Sequence, residues 1–275
     1  MTPSPEHQEL VHLEVASGIA TISLDSPHNR NALSRRLQQQ LASHVKTAVE
    51  DTSVRVILLT HRGPVFCAGG DLKEQDTPGE RNRPESDGYV QVLDGLWRSP
   101  KPVVGRIAGP ARGGGMGLVA VCDLVVATED TTFAFPEVRL GVVPAVISVP
   151  LRRRIPHHAL RRLFLTGETF GARHAEQIGL VTSTVTSDGL DGEVFRLCSQ
   201  LVRGAPDALA ATKALLRADT PCILDECALM LKLSLGHFAS EEAQEGIDAF
   251  RTKRTPSWVP DAFIAASPAS NRSKE

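Results

Sequence analysis

The strongest constraint on the fold is a repeated switch of period along the chain. Apolar runs of strand length, at residues 54–60 (VRVILLT), 102–107 and 124–127, alternate with stretches whose apolar residues recur at helical spacing. Side chains repeat every two residues in a strand and every 3.6 in a helix, so this alternation predicts strands interleaved with helices. Residues 11–15 and 19–24 alternate apolar and polar positions across Ser17-Gly18, the pattern of a β-hairpin. Ser34 stands as an N-cap ahead of Leu37, Leu41, Val45 and Val49, which recur every four residues. After Ala159 the pattern is mainly helical: 160–164, 172–178, a segment opened by Pro206, and a long stretch from Cys222 to Phe250. Together these imply an α/β core with a helical C-terminal portion. Residues 75–88, rich in Pro, Gly and charge, read as a mobile loop, and 267–275 as a disordered tail.

Composition excludes several classes of partner. Thirty Lys and Arg against 32 Asp and Glu leave a net charge of -2, so no global field favours nucleic acid or anionic lipid. No apolar run approaches the roughly 20 residues that span a bilayer, and the polar, Pro-containing start lacks a signal-peptide pattern. The expected location is the cytoplasm. Five cysteines, odd in number and without a C-x-x-C pair, argue against both a disulfide framework and a zinc site. No histidine has triad or metal-ligand spacing. The basic cluster Arg152-Arg153-Arg154 with His157, His158, Arg161 and Arg162 reads as a solvated or subunit-facing helix surface.

Two loops carry the chemical signal: Phe66-Cys67-Ala68-Gly69-Gly70-Asp71 and the glycine-rich 109–117, GPARGGGMG. Glycine lets the backbone approach closely and aim N–H groups at a ligand oxygen. Neither the P-loop pattern nor the G-x-G-x-x-G spacing is present. Each loop alone fits an ordinary tight turn.

Order and combination say more. Asn29-Arg30-Asn31-Ala32-Leu33, the 66–73 loop, Lys101-Pro102, the Gly113-Gly114-Gly115 cluster with Cys122-Asp123-Leu124, and the 135–144 segment (FPEVRLGVVP) resemble the enoyl-CoA hydratase/isomerase (crotonase) family. Leu165-Thr166-Gly167, residues 175–181 (AEQIGLV) and 245–254 extend the resemblance over roughly residues 10–258. It implies a spiral of ββα units over 1–200, a helical trimerisation region over 201–260, and a tail over 261–275. The implied partner is an acyl-CoA thioester, and the implied assembly a homotrimer or dimer of trimers. No cofactor is expected, since CoA is part of the substrate, and neither nucleic acid nor membrane is expected as a partner.

The resemblance also implies roles. Backbone N–H groups of Ala68 and Gly114 would form an oxyanion hole for the thioester carbonyl. CoA would contact Arg30, the loop carrying Ala68, Asp71, Leu72 and Lys73, and Phe250 and Lys253, the last two from a neighbouring subunit. Two-carboxylate hydratases of the family carry one Glu two residues after the glycine cluster and another in the 135–144 segment. Here the second is Glu137, while the first position holds Gly117. That departure leaves three readings: hydration with Glu137 alone, double-bond isomerisation, and acyl-CoA binding without turnover. The variable loop 74–94, with Tyr89 (the only tyrosine) and Trp97 just after it, is expected to shape the acyl site, with Tyr89 as a packing residue ahead of the lesser reading, a substitute acid.

Overall fold

The computed structural model describes residues 9–74, 87–217 and 223–259. The first half runs β1 (Val11–Ala16), β2 (Ile19–Leu24), α1 (Arg35–Glu50), β3 (Val56–His61), α2 (Asp87–Arg98), β4 (Val103–Ile107), β5 (Ala111–Arg112) and α3 (Gly114–Val121). It continues with β6 (Leu124–Thr128), β7 (Thr132–Ala134), α4 (Ala145–Leu151), α5 (His157–Thr166), β8 (Thr169–Gly171), α6 (Ala172–Gln177) and β9 (Ser183–Val185). Helices α7 (Leu190–Val202), α8 (Pro206–Leu215), α9 (Ile223–Phe238) and α10 (Glu241–Thr252) complete it.

The large sheet has the order β1-β2-β3-β4-β6-β9, antiparallel between β1 and β2 and parallel thereafter. The hairpin forms where expected, and Ser17 and Gly18 both take positive φ, 52° and 79°. In the central strands side chains point alternately to two buried faces. Ile57, Leu59, Val103 and Val125 join the main core, while Val56, Val104 and Val126 point the other way onto Leu190, Val194 and Leu197 of α7. A strand covered on both faces needs an unbroken apolar run, which is why residues 54–60 lack the alternation seen in β2. Each such side chain contributes about 1.5–3 kcal/mol on full burial.

A second, smaller sheet, β5-β7-β8, lies after the ends of the large-sheet strands. Isolated parallel bridges, Cys67 to Ala111 and Leu33 to Gly70, extend the same pairing. Each unit therefore lays a strand in the large sheet, then an extended stretch in the second layer, before its next helix: β3 then Cys67, β4 then β5 and α3. This is the ββα spiral that the resemblance implied.

Two expectations change. The stretch from Cys222 to Phe250 is not one helix: α9 ends at Phe238, and the Ser240 side chain caps α10 by accepting from Ala243 N–H at 3.1 Å. Cys222 itself lies outside the described residues. Of the loop expected at 75–88, residues 75–86 lie outside the described residues, while 87 and 88 already belong to α2. The segment 87–94 is helical because Val90, Leu93 and Leu96 recur on one buried face packed against α1. The expected tail at 261–275 lies outside the described residues as well.

Candidate active site

The second layer brings the two glycine loops together. Cys67 pairs with Ala111, and Arg112 N–H donates to Cys67 O at 2.9 Å. On the other flank, Leu33 N–H donates to Gly69 O at 2.8 Å. Gly113 then opens α3 with φ 49° and ψ −121°, a conformation that strains any residue with a Cβ. A Cβ there would lie 3.7 Å from Gly69 Cα and 3.3 Å from Glu137 Oε1. Both loops and the Glu137 carboxyl thus meet at one point. Gly115 has no room for a side chain, since a Cβ would stand 2.8 Å from both Cβ and O of Cys67.

The backbone amides at this point are not equivalent. Ala68 N–H donates to Arg30 O at 3.0 Å. Its single hydrogen is engaged, which overturns the expectation that Ala68 supplies an oxyanion donor. Two residues on, Gly70 N–H makes no internal hydrogen bond among the described residues, and the same holds for Gly114 N–H. The Arg30 carbonyl reaches Ala68 because Arg30 and Asn31 both take left-handed backbones, with φ of 60° and 54°. Asn31 is fully buried: its Oδ1 accepts from Ser26 N–H at 2.6 Å, and its Nδ2 donates to Arg62 O and Val65 O at 3.0 and 2.8 Å. It ties the turn after β2 to the loop after β3. The sequence reading gave Asn31 no role; the available signal was an Asn, which tolerates the left-handed region and offers both donor and acceptor.

Glu137 sits on a 3-10 turn, Pro136–Leu140, that follows β7 and closes on left-handed Gly141 at φ 70°. Its Oε2 is sealed from solvent without a hydrogen-bond partner. Burial pushes the carboxyl up to about 7, against a smaller opposing pull from its own backbone N–H. A group titrating there serves as either base or acid near neutrality.

Position 117 is filled from elsewhere. A Cβ on Gly117 would fall 2.1 Å from Tyr89 Oη and 3.2 Å from Ile147 Cγ2. Tyr89, on α2, donates its hydroxyl hydrogen to Gly114 O at 2.5 Å. Burial lifts the phenol well above its ordinary value, with Cys67, Cys227 and Glu137 acting in the same direction, so it is neutral. Cys67 is no nucleophile at neutral pH, because burial pushes its thiol up to about 12.

Of the residues expected to meet CoA, those of the 68–73 loop touch Arg30 and the end of α10. Asp71 accepts from Asn29 Nδ2 at 3.2 Å and from Lys73 N–H at 3.0 Å, which shapes its loop, while Arg30 and Lys73 are exposed. Leu72 O accepts from Arg251 at 2.5 Å, so α10 docks on this loop within the same chain. Phe250 is exposed beside Arg251, and left-handed Lys253 ends the helix. The same helix braces the Glu137 turn, where a Cβ on Gly246 would lie 2.6 Å from the Leu140 carbonyl carbon. The basic cluster is partly internal: Arg152 and Arg153 pair with Glu226 of α9, and Arg162 with Glu168. No helix among the described residues is long and apolar enough to cross a membrane.

The fold is that of an acyl-CoA enzyme family. The family model for enoyl-CoA hydratase/isomerase matches residues 14–260, and the chain belongs to that family. It is 34% identical over 245 residues to the 2,3-dehydroadipyl-CoA hydratase of Escherichia coli (strain K12), covering 86% of this chain and 94% of that one. The crystal structure of an enoyl-CoA hydratase from Mycobacterium avium is similar with a TM-score of 0.81 and 38% identity, covering 92% of this chain and all of that one. A methylmalonyl-CoA decarboxylase in complex with 2-nitronate-propionyl-CoA gives a TM-score of 0.79 at 26% identity, covering 91% of this chain and 98% of that one.

Proposed function

We propose that this protein adds water to 2-enoyl-CoA thioesters, forming 3-hydroxyacyl-CoA, and catalyses the reverse reaction. The observation that carries the reading is the buried Glu137 carboxyl, its Oε2 without a hydrogen-bond partner, beside two glycine loops whose Gly70 and Gly114 amides have no internal acceptor. The thioester oxygen accepts from these two amides. Glu137 takes a proton from water as the water oxygen adds to the β-carbon, and the π electrons move onto the thioester oxygen. The resulting enolate collapses as Glu137 returns that proton to the α-carbon. One water is consumed and the carboxylate is regenerated. Losing one such oxyanion donor typically costs about 10²–10³ in rate. The thioester is itself the electron sink, so the reaction calls for no metal or redox cofactor.

Arg30, the 68–73 loop, Phe250 and Lys253 are the proposed CoA contacts, with the basic side chains facing its phosphates. The proposed assembly is a homotrimer or dimer of trimers; exposed Leu229 and Leu233 on α9 supply apolar surface for it. A second reading, isomerisation, draws on Gly117: a single carboxylate suffices to carry a proton between carbons.

The test is incubation of wild type and Glu137→Gln with short- to long-chain 2-enoyl-CoAs, following the conjugated absorbance and product masses. A water adduct formed by wild type and slowed roughly 10²–10⁴-fold in the variant supports hydration. A shifted double bond without added mass moves the assignment to isomerase. Binding without any product leaves an acyl-CoA-binding protein.

A further inference from the structure

We propose that Tyr89 is the second polar group of this site, its hydroxyl oxygen holding the water that Glu137 deprotonates, in the place that a side chain at position 117 would fill. The inference rests on the hydratase reading above. A Cβ at 117 would come within 2.1 Å of Tyr89 Oη and 3.3 Å of Cζ, so this placement of the tyrosine requires a bare glycine at 117. The departure that most distinguishes the sequence is therefore one half of a pair, whose other half arrives from α2.

The hydrogen-bond inventory assigns the role. A phenol has one hydrogen and two acceptor lone pairs. The Tyr89 hydrogen is donated to Gly114 O, which leaves the lone pairs to accept from water. That water would stand beside the oxyanion site, because Gly114 is the residue whose N–H is assigned to the thioester oxygen. A Cβ on Gly114 would lie 3.7 Å from Tyr89 Oη, and one on neighbouring Gly113 would lie 3.3 Å from Glu137 Oε1. Phenol and carboxyl thus border adjacent residues of one helix start. Burial keeps the phenol neutral. It orients water and takes no proton from it.

In the addition step the water gives one hydrogen bond to Tyr89 Oη and the other to Glu137. The O–H bond toward Glu137 breaks, the oxygen bonds to the β-carbon, and the π pair moves onto the thioester oxygen. Glu137 then returns the proton to the α-carbon. No bond to Tyr89 forms or breaks, so Tyr89 is a positioning residue acting through the water.

The experiment compares wild type with Tyr89→Phe in two assays: steady-state hydration of a 2-enoyl-CoA, and deuterium exchange at the α-carbon of the saturated thioester, read by mass. Exchange needs Glu137 and the two amides but no held water. Tyr89→Phe is expected to lower kcat for hydration roughly ten-fold or more, the worth of one hydrogen bond, with KM little changed. Hydration should fall about ten-fold further than exchange. Gly117→Ala keeps the tyrosine and displaces its hydroxyl, so it should show the same selective loss; it also serves if Tyr89→Phe melts early. Equal loss of both activities, or no loss of either, overturns the role of Tyr89 and leaves the hydratase reading standing. Absence of hydration by wild type, with or without exchange, overturns both.

Discussion

Glu137 is a carboxyl that burial moves up to about 7, so its charge changes in the middle of the working pH range. For hydration it must start ionised in order to accept the proton of water. The kcat/KM for hydration should therefore rise with pH through about 7, and that for dehydration of a 3-hydroxyacyl-CoA should rise with it, because in reverse the same carboxylate takes the α-proton. A hydration profile flat from pH 5 to 8 would remove Glu137 as the base. The residue was legible in the sequence because its segment, FPEVRLGVVP, is distinctive. The proposed oxyanion donor, the Gly70 amide, was not. The motif locates the loop, but which of its amides stays unengaged depends on the Arg30 carbonyl, presented from a left-handed turn far back in the chain. No local pattern at 66–71 encodes that. Tyr89 was legible as a packing residue first and as a substitute acid second, but not as a holder of water, because its partner Gly117 shows itself as an absence.

Elements hold this point in place from several directions, and α10 is the clearest case. Its Gly246 packs on the Leu140 backbone behind Glu137, and its Arg251 holds Leu72 O in the loop proposed to meet CoA. Gly246→Val would drive methyl groups into a main-chain contact already at 2.6 Å for a Cβ. We expect about 1–3 kcal/mol of destabilisation in urea melts together with a lower kcat, because the Glu137 turn moves with the helix. Unchanged melting would show that α10 is not seated there. Ser34→Ala, which removes the side-chain acceptor for Leu37 N–H at the start of α1, should cost only about 1 kcal/mol and leave kcat as it is. The strands and α1 were readable because period and burial agree along them. The break between α9 and α10 was not, since apolar residues recur at helical spacing on both sides of it. Only the Ser240 cap, an ordinary residue out of context, marks the new start.

At the scale of the whole molecule, two buried titratable groups set opposite pH slopes on stability. His61 ends β3 and accepts from Ala108 N–H, just beyond β4, through Nε2 at 3.1 Å. Burial, with the Arg106 charge adding to it, lowers its pKa from 6.5 to about 4, against carbonyls at 62, 63 and 65 that raise it. Between those values the unfolded chain binds a proton that the native protein does not, so acid removes stability, on the order of 3 kcal/mol in all. Glu137 runs the other way. Its pKa is raised from 4.5 to about 7, so the native protein keeps a proton the unfolded chain loses, and stability falls as pH rises through that window by a similar amount. The two slopes offset between about 4.5 and 6.5, where wild type should look nearly insensitive to pH. Single variants separate them. Glu137→Gln should gain on wild type as pH rises from 4.5 to 8, whereas His61→Gln, which keeps an acceptor for Ala108 N–H, should gain on it as pH falls from 6.5 to 4. Urea midpoints across pH 4–8 read both differences, and curves that stay parallel to wild type would show that neither group carries its charge state through folding as the buried geometry requires.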